Sequence, residues 1–180
     1  MKVFIMRHGT TVWNEQGFTQ GRSNNRLSKS GVELTKRVAE NFAKEKIDVI
    51  YVSPLMRTMQ TANLINKHHN VKIIKDERLT EVDQGIFTGR FFKTLTDEEK
   101  KLKSSRSAKA GMESMQSVGK RVKEFSSWLI KECPYKNVLV ITHNVCASML
   151  ATILQSVEID YTNSNHVHCF DNAEIKKIEI

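Results

Sequence analysis

The stretch Val3-Phe4-Ile5-Met6-Arg7-His8-Gly9 carries the strongest fold signal in this 180-residue chain. Four successive apolar residues are typical of a buried strand. A basic pair follows directly, and the glycine after it permits the chain to turn. Because ligands bind beyond the carboxyl ends of strands in open α/β sheets, we predict a strand at residues 2–6 that delivers Arg7 and His8 to a functional site.

Short apolar runs alternate with helical patterns along the rest of the chain, which predicts a three-layer α/β domain. Further strands are predicted at residues 48–52, 71–75, 137–142, 166–170 and 174–180, the last two joined by a turn around Asp171-Asn172. Helices are predicted at residues 30–46, 55–68, 115–129 and 145–154, with a short one from Thr96. Ser30 with Glu33 and Thr96 with Glu99 fit capping boxes, and Asn144 suits a helix N-cap.

Length and composition indicate one globular domain over residues 1–180. The polar, irregular residues at about 84–112 are predicted to form a lid-like insertion. No apolar run approaches the roughly 18 residues that span a bilayer, and the first residues do not read as a secretory signal. We therefore expect a cytoplasmic protein without a membrane partner.

The formal net charge of +8 is compatible with nucleic acid, an acidic surface or small anions as partners. The sequence has neither zinc-finger spacing nor an RNA-binding aromatic motif, so no nucleic-acid partner is expected. The densest basic run covers residues 93–109. Two interpretations stay open for it: a solvated loop, or a lid that attracts phosphorylated substrates.

Five side chains in comparable settings could hold and transfer a phosphoryl group. Arg7 and Arg57 supply planar forks that bind two oxygens at once. His8 could act as the nucleophile if one ring nitrogen is unprotonated, and His143 could donate to a phosphoryl oxygen. Glu81 could protonate the leaving oxygen and later activate water. Taken singly, each has an ordinary structural interpretation as a surface salt bridge, a satisfied histidine or an exposed carboxylate.

The sequence offers little that would hold a metal or a cofactor. Cys133, Cys146 and Cys169 are widely spaced without a CxxC pair, which argues against a disulfide framework or a zinc site. Nucleotide-binding glycine loops and the HExxH motif are missing from the sequence. His166 and His168 alternate along a predicted strand and are interpreted as structural. We predict neither a metal nor a cofactor.

At this point the ordered motifs resemble the histidine phosphatase superfamily, in its phosphoglycerate-mutase-like branch. The resemblance extends over nearly the whole chain and covers residues 7–14, 27–31, 53–62, 79–81, 111–114 and 140–143, with Gly85, Gly89 and Arg121. It implies an α/β/α sandwich with a mixed, mostly parallel sheet. It also implies metal-independent phosphoryl transfer through a phosphohistidine at His8.

The resemblance assigns roles to individual residues. It implies a phosphate pocket of Arg7, Arg57 and His143, and a proton donor at Glu81. It implies that Asn14 supports this pocket and that Gln20 and Gly21 contact the substrate. Asn144 stands where many members have glycine, so it either narrows the pocket or caps the helix.

The residues that follow Glu81 distinguish a phosphatase from a mutase. The mutases are typically longer and carry Arg-His-Tyr directly after the acidic residue, whereas Glu81 is followed by Val82-Asp83-Gln84. We therefore favour a phosphatase whose partner is a small phosphorylated metabolite. Three alternatives stay open: a cofactor-dependent phosphoglycerate mutase, a protein phosphatase, and a phosphate-binding module without turnover. The last strand could also form the edge of a homodimer.

The basic residues of the predicted lid suit either small polyanions or a docked protein. They are Arg90, Lys93, Lys100, Lys101 and Lys103.

Overall fold

The computed structural model describes residues 1–157 and 169–180. Its strands are β1 (Lys2–Arg7), β2 (Val49–Val52), β3 (Lys72–Lys75), β4 (Asn137–Thr142) and β5 (Ile175–Glu179). They form one sheet in the order β3-β2-β4-β1-β5. The first four run parallel, and β5 pairs antiparallel with β1. The mixed, mostly parallel sheet is confirmed.

Helices cover both faces of the sheet. They are α1 (Val12–Gln16), α2 (Lys29–Phe42), α3 (Met56–Asn66), α4 (Asp97–Ser104), α5 (Met115–Lys131) and α6 (Asn144–Leu154). Side chains alternate along each strand, so β1 packs Phe4 and Met6 with α2 and α3, and Val3 and Ile5 with α5 and α6. The three-layer sandwich is therefore confirmed. Within the described residues, no helix has the length and apolarity needed to cross a bilayer.

The register of the parallel strands brings distant parts of the sequence to one edge of the sheet. Arg7 pairs with Thr142, which places the residues after β1 beside those after β4. Val52 pairs with Ile141, which places the start of α3 on the other side of β4. Because parallel strands end on the same side, these three chain segments meet above one point of the sheet.

Residues 84–112 have a small apolar core of their own. Short 3-10 turns occur at Gly85–Phe87, Phe92–Thr94 and Ala108–Ala110, and α4 lies among them. The buried side chains that form this core are Phe87, Leu95, Ala110 and Met112, with Leu102 half-buried against them. The capping box of Thr96 and Glu99 at the start of α4 is confirmed.

Two predicted caps are wrong. The N-cap of α2 is Ser28, whose hydroxyl accepts from the Gly31 N–H, and not Ser30 with Glu33. Gly31 packs so closely on Thr10 that an added Cβ would lie 1.9 Å from the Thr10 carbonyl oxygen, which fixes where α2 begins. Asn144 is the first residue of α6, and His143 occupies the N-cap position.

The last two predicted strands have different outcomes. The strand at residues 174–180 is confirmed as β5. Of the strand predicted at 166–170, residues 166–168, with His166 and His168, lie outside the described residues, and residues 169 and 170 are not in a strand. The turn that follows them contains Asn172 and leads directly into β5.

Candidate active site

Three predicted residues form one buried cluster above the carboxyl ends of β1, β2 and β4. His8 is 2% exposed, Arg57 1% and His143 0%. The centroids of the two imidazole rings lie 5.2 Å apart. Arg57 Nε lies between them, 3.2 Å from His8 Nε2 and 3.2 Å from His143 Nδ1.

The surroundings of His8 fix its tautomer. Nδ1 lies 2.7 Å from the Gly9 carbonyl oxygen, which can only accept, so Nδ1 carries the proton. Nε2 then accepts from Arg57 Nε–H. Burial, together with the nearby charge of Arg57, lowers the pKa of His8 well below its ordinary value. The imidazole is therefore neutral with its lone pair on Nε2, the state that a nucleophile needs.

The loop after β1 is held rigidly around His8. The His8 carbonyl accepts from the Ala173 N–H at 3.1 Å, and the Gly9 N–H donates to Thr61 Oγ1 at 3.0 Å. A Cβ on Gly9 would lie 2.3 Å from Thr35 Oγ1, so the close approach of α2 requires glycine here. His8 is thus positioned by the turn that precedes β5 and by α2 and α3.

All three nitrogens of the Arg57 guanidinium group make hydrogen bonds. Nη1 donates to the Ser23 carbonyl at 2.7 Å and Nη2 to the Gly21 carbonyl at 2.8 Å, while Nε faces the two histidines. Burial lowers the pKa of Arg57 to about 10, which leaves it charged at neutral pH. Gly21, which was predicted to contact the substrate, thus accepts a hydrogen bond from Arg57 through its backbone carbonyl.

His143 has the opposite tautomer from His8. Its Nδ1 accepts from Arg57 Nε–H, so Nε2 carries the proton and donates to Ser53 Oγ at 2.8 Å. Burial and the charge of Arg57 hold the pKa of His143 well below its ordinary value. Donation to a phosphoryl oxygen from Nδ1 requires a second proton, which a bound dianion would favour. Ser53 begins the stretch 53–62, but no pattern in the sequence predicts that it lies in the site.

Arg7 has one hydrogen-bonded donor and one buried donor without a partner among the described residues. Nη1 donates to the Phe170 carbonyl at 2.7 Å. Nε is buried and has no hydrogen-bond partner in residues 1–157 and 169–180. Burial lowers the pKa of this guanidinium, and the charge of Glu81 opposes that change. Because an unsatisfied buried charged donor is unfavourable, an anionic oxygen is the natural ligand for Nε.

Glu81 is half-buried and lies within electrostatic reach of Arg57 and Arg7. Its Oε1 accepts from the Val82 N–H at 2.9 Å. Burial raises its pKa, although the hydrogen bond and both arginines act in the opposite direction. A carboxyl group with a raised pKa keeps its proton nearer to neutral pH, as a general acid must.

A clamp of Glu113 and Arg121 holds the loop that carries Glu81. Arg121 Nε and Nη2 donate to the two oxygens of Glu113 at 3.0 and 3.1 Å. Arg121 Nη1 donates to the Arg78 carbonyl at 2.7 Å. Arg22 donates to Glu113 at 3.0 Å and to the Glu81 carbonyl at 3.1 Å. Arg22 thus holds the Glu81 carbonyl, and Arg121 holds the chain three residues before it.

The remaining predicted residues make contacts within the protein. Asn14 Oδ1 accepts from the Thr11 N–H at 3.1 Å, and Gln20 Oε1 accepts from the Thr11 hydroxyl at 2.9 Å. Asn144 Oδ1 accepts from the Phe170 N–H at 3.2 Å. The buried Thr11 is the common partner of Asn14 and Gln20, and Asn144 holds the backbone at Phe170. Sequence reasoning missed Thr11.

The basic residues of segment 84–112 do not act alike. Arg90 pairs with Glu99 at 2.5 Å, and Lys93 is exposed. Arg106, which the sequence analysis did not single out, is the basic residue of this segment whose pKa responds to Glu81 and Glu113. In the part of the chain that the structure describes, no group of three or more His, Cys, Asp or Glu is placed to hold a metal ion.

Comparison with known proteins gives one family. The model described as histidine phosphatase superfamily (branch 1) matches residues 3–180. Phosphoserine phosphatase 1 of Hydrogenobacter thermophilus is 31% identical over 170 residues, covering 88% of this chain and 78% of that protein. A probable phosphoglycerate mutase of Enterobacter sp. is 31% identical over 160 residues, covering 86% and 74%. The crystal structure of the alpha-ribazole phosphatase from Shigella flexneri superposes with a TM-score of 0.88 at 22% identity, covering 100% and 91%, which bears on the fold alone.

Proposed function

The chain belongs to the histidine phosphatase superfamily, and from this premise we propose that it hydrolyses small phosphomonoesters through a phosphohistidine at His8, without a metal ion. Membership makes it a phosphoric monoester hydrolase of the histidine phosphatase type. The observation that carries the finer proposal is the pairing of a neutral His8, whose lone pair is on Nε2, with the unsatisfied Nε–H of Arg7.

The first step is attack of His8 Nε2 on phosphorus. An N–P bond forms, the P–O ester bond breaks, and its electron pair stays on the leaving oxygen. Glu81 gives its proton to that oxygen, so a neutral alcohol departs. Arg7 Nε–H stabilises the charge that grows on the phosphoryl oxygens, and Arg57 Nε–H joins it as the His8 Nε2 lone pair bonds phosphorus and stops accepting from Arg57.

The second step returns the enzyme to its starting state. The Glu81 carboxylate takes a proton from water, whose oxygen attacks phosphorus. The N–P bond breaks, its electron pair returns to His8 Nε2, and inorganic phosphate leaves. The hydrogen bond from His8 Nδ1 to the Gly9 carbonyl keeps the same tautomer through both steps.

A mutase is the second candidate, because a relative named as a probable phosphoglycerate mutase matches as well as one named as a phosphatase. In a mutase the phosphohistidine would return its phosphoryl group to another oxygen of the substrate. A strict mutase would therefore release no inorganic phosphate and would require priming by 2,3-bisphosphoglycerate.

The test measures phosphate release from p-nitrophenyl phosphate and a panel of sugar phosphates, phosphoglycerates, α-ribazole phosphate and nucleotides, with EDTA present. His8→Ala is compared with His68→Ala, since His68 is exposed at the end of α3. We expect wild type and His68→Ala to turn over and His8→Ala to lose at least about 10³-fold in kcat. Near-normal turnover by His8→Ala would refute the mechanism. Isomerisation of phosphoglycerate without phosphate release would establish the mutase.

A further inference from the structure

We infer that segment 84–112 forms a second anion site, which binds an oxyanion group, a carboxylate or a second phosphate, on the leaving-group side of the phosphomonoester. The inference rests on the proposed function, because it places the scissile phosphate at His8. It goes beyond that function by stating which class of ester the enzyme prefers.

The site is a cavity of about 440 Å³ between α4 and the turns that flank it. Four basic side chains line it, and one of them, Lys100, pairs with Asp97 at 3.1 Å. No carboxylate lines the cavity in the part of the chain that the structure describes. The lining residues used here are Gln84, Phe92, Lys100, Lys101, Lys103 and Arg106. A cavity with one sign of charge concentrates small ions of the opposite sign.

Arg106 is the residue that points to a ligand. Its Nη1 is buried and has no hydrogen-bond partner among the described residues. Its backbone has a φ of 46°, in the left-handed region that residues other than glycine seldom adopt. Burial lowers its pKa, which Glu81 and Glu113 oppose. Strain and an unsatisfied donor at one residue are typical of a functional position.

Lys103 is fixed beside Arg106. Its Nζ donates to Thr19 Oγ1 at 2.6 Å and lies 5.7 Å from the Phe87 ring centroid and 5.3 Å from that of Phe92. Burial and the charge of Arg106 lower the pKa of Lys103. The two cations therefore repel each other without a ligand, and an anion between them would relieve that repulsion.

The cavity adjoins the catalytic centre. Gln84, which lines it, packs against Gly21, where an added Cβ would lie 3.1 Å from the Gln84 Cβ. The Gly21 carbonyl is the acceptor for Arg57 Nη2. Glu81 protonates the leaving oxygen in the proposed mechanism, so the leaving group lies on the side of Glu81. The charge of Glu81 raises the pKa of Arg106, which places this cation within electrostatic reach of the same carboxyl group.

The experiment compares substrates that differ only in the distal group. 3-Phosphoglycerate and glycerol 3-phosphate have the same primary alkyl leaving oxygen, but only the first has a carboxylate. Propane-1,3-diol bisphosphate and propane-1,3-diol monophosphate differ in the same way by a distal phosphate, so this pair tests whether the site binds a second phosphate. We expect wild type to prefer the more anionic member of at least one pair by about tenfold or more in kcat/KM, and the favoured pair identifies the group.

Arg106→Gln should reduce that preference by roughly 10- to 100-fold, as for loss of a charge-assisted hydrogen bond, mainly through KM. Lys103→Met serves as a second variant. Lys109→Gln removes a charge from the same segment at an exposed position outside the cavity and should keep the preference. An equal loss for both members of a pair would mean that Arg106 has only a structural role, and would overturn the inference.

Failure of this inference differs from failure of the proposed function. Turnover of p-nitrophenyl phosphate without any preference within either pair overturns the anion site and leaves the phosphatase intact. If no ester is turned over, the proposed function fails, and calorimetric titration of His8→Ala with the same pairs decides the site. Tighter binding of the more anionic member, lost in His8→Ala/Arg106→Gln, supports it, and equal binding overturns it.

Discussion

Replacing Arg57 with lysine keeps one positive charge but removes the planar fork. In the native site, four hydrogen-bond acceptors surround this guanidinium: His8 Nε2, His143 Nδ1, and the carbonyls of Ser23 and Gly21. Lysine presents its three donors from a single nitrogen. An ammonium placed between the imidazoles therefore cannot also reach both carbonyls, and at least one buried carbonyl loses its donor.

The expected losses of stability and of kcat in Arg57→Lys follow from this one unpaired carbonyl and the changed donor geometry. One unsatisfied buried group costs about 1–3 kcal/mol of stability. For a chain of this length, each kcal/mol lowers the melting temperature by about 2–4 °C, so the total fall is about 2–12 °C. Loss of a donor aimed at the developing charge lowers kcat by about 10²–10³.

Thermal unfolding and steady-state hydrolysis of p-nitrophenyl phosphate measure the two effects of Arg57→Lys. Arg26→Lys is the matched control, because Arg26 is exposed, follows Ser23 in the same loop, and donates a hydrogen bond to the Met56 sulfur. The control should stay near wild type in both measurements. If kcat of Arg57→Lys were within threefold of wild type, the fork would have no special role in transition-state stabilisation, and the reasoning would be wrong.

Two further predictions concern the acid and the histidines. Glu81→Gln should slow alkyl phosphates much more than p-nitrophenyl phosphate, whose leaving group needs no proton; equal losses in kcat would contradict the acid role. Burial holds the pKa of His8 and His143 below the 6.5 of an unfolded histidine. The unfolded chain therefore binds more protons, and the free energy of unfolding should fall as the pH drops below about 6.5. Urea unfolding at pH 7.5 and 5.5 should show a smaller fall for His143→Asn than for wild type, and identical falls would count against a neutral buried imidazole.

Much of the fold could be predicted because its signals are local. The apolar runs before His8 and His143 are strands: β4 has the predicted bounds, and β1 ends at Arg7, one residue later than predicted. The spacing of Met115, Val118 and Val122 gives the buried face of α5. Parallel strands end on one side of the sheet, so residues that follow them meet. Arg57, in the first turn of the helix that follows β2, therefore lies beside the two histidines.

The errors have tertiary causes. Ser30 with Glu33 has the sequence of a capping box, but the contact of Gly31 with Thr10 starts α2 earlier, and Ser28 becomes the cap. Similarly, Asn144 is not the cap of α6, because it is the first residue of the helix and its side-chain oxygen accepts from the Phe170 N–H. Burial and an unsatisfied donor distinguish Arg106 from the lysines around it, and neither property is visible in a run of basic residues.

The position of β1 in the sheet has a consequence for synthesis. It lies between β4 and β5, and its register partners run from Asn137 to Thr142 and from Ile175 to Glu179. While the ribosome is still making the first half of the chain, the strand that carries His8 has no neighbour in the sheet. Such long-range pairing slows folding and leaves strand edges open to other nascent chains. His8 therefore reaches its final position only after β5 has emerged, so an unfinished chain contains the residues of the candidate site before they can come together in space.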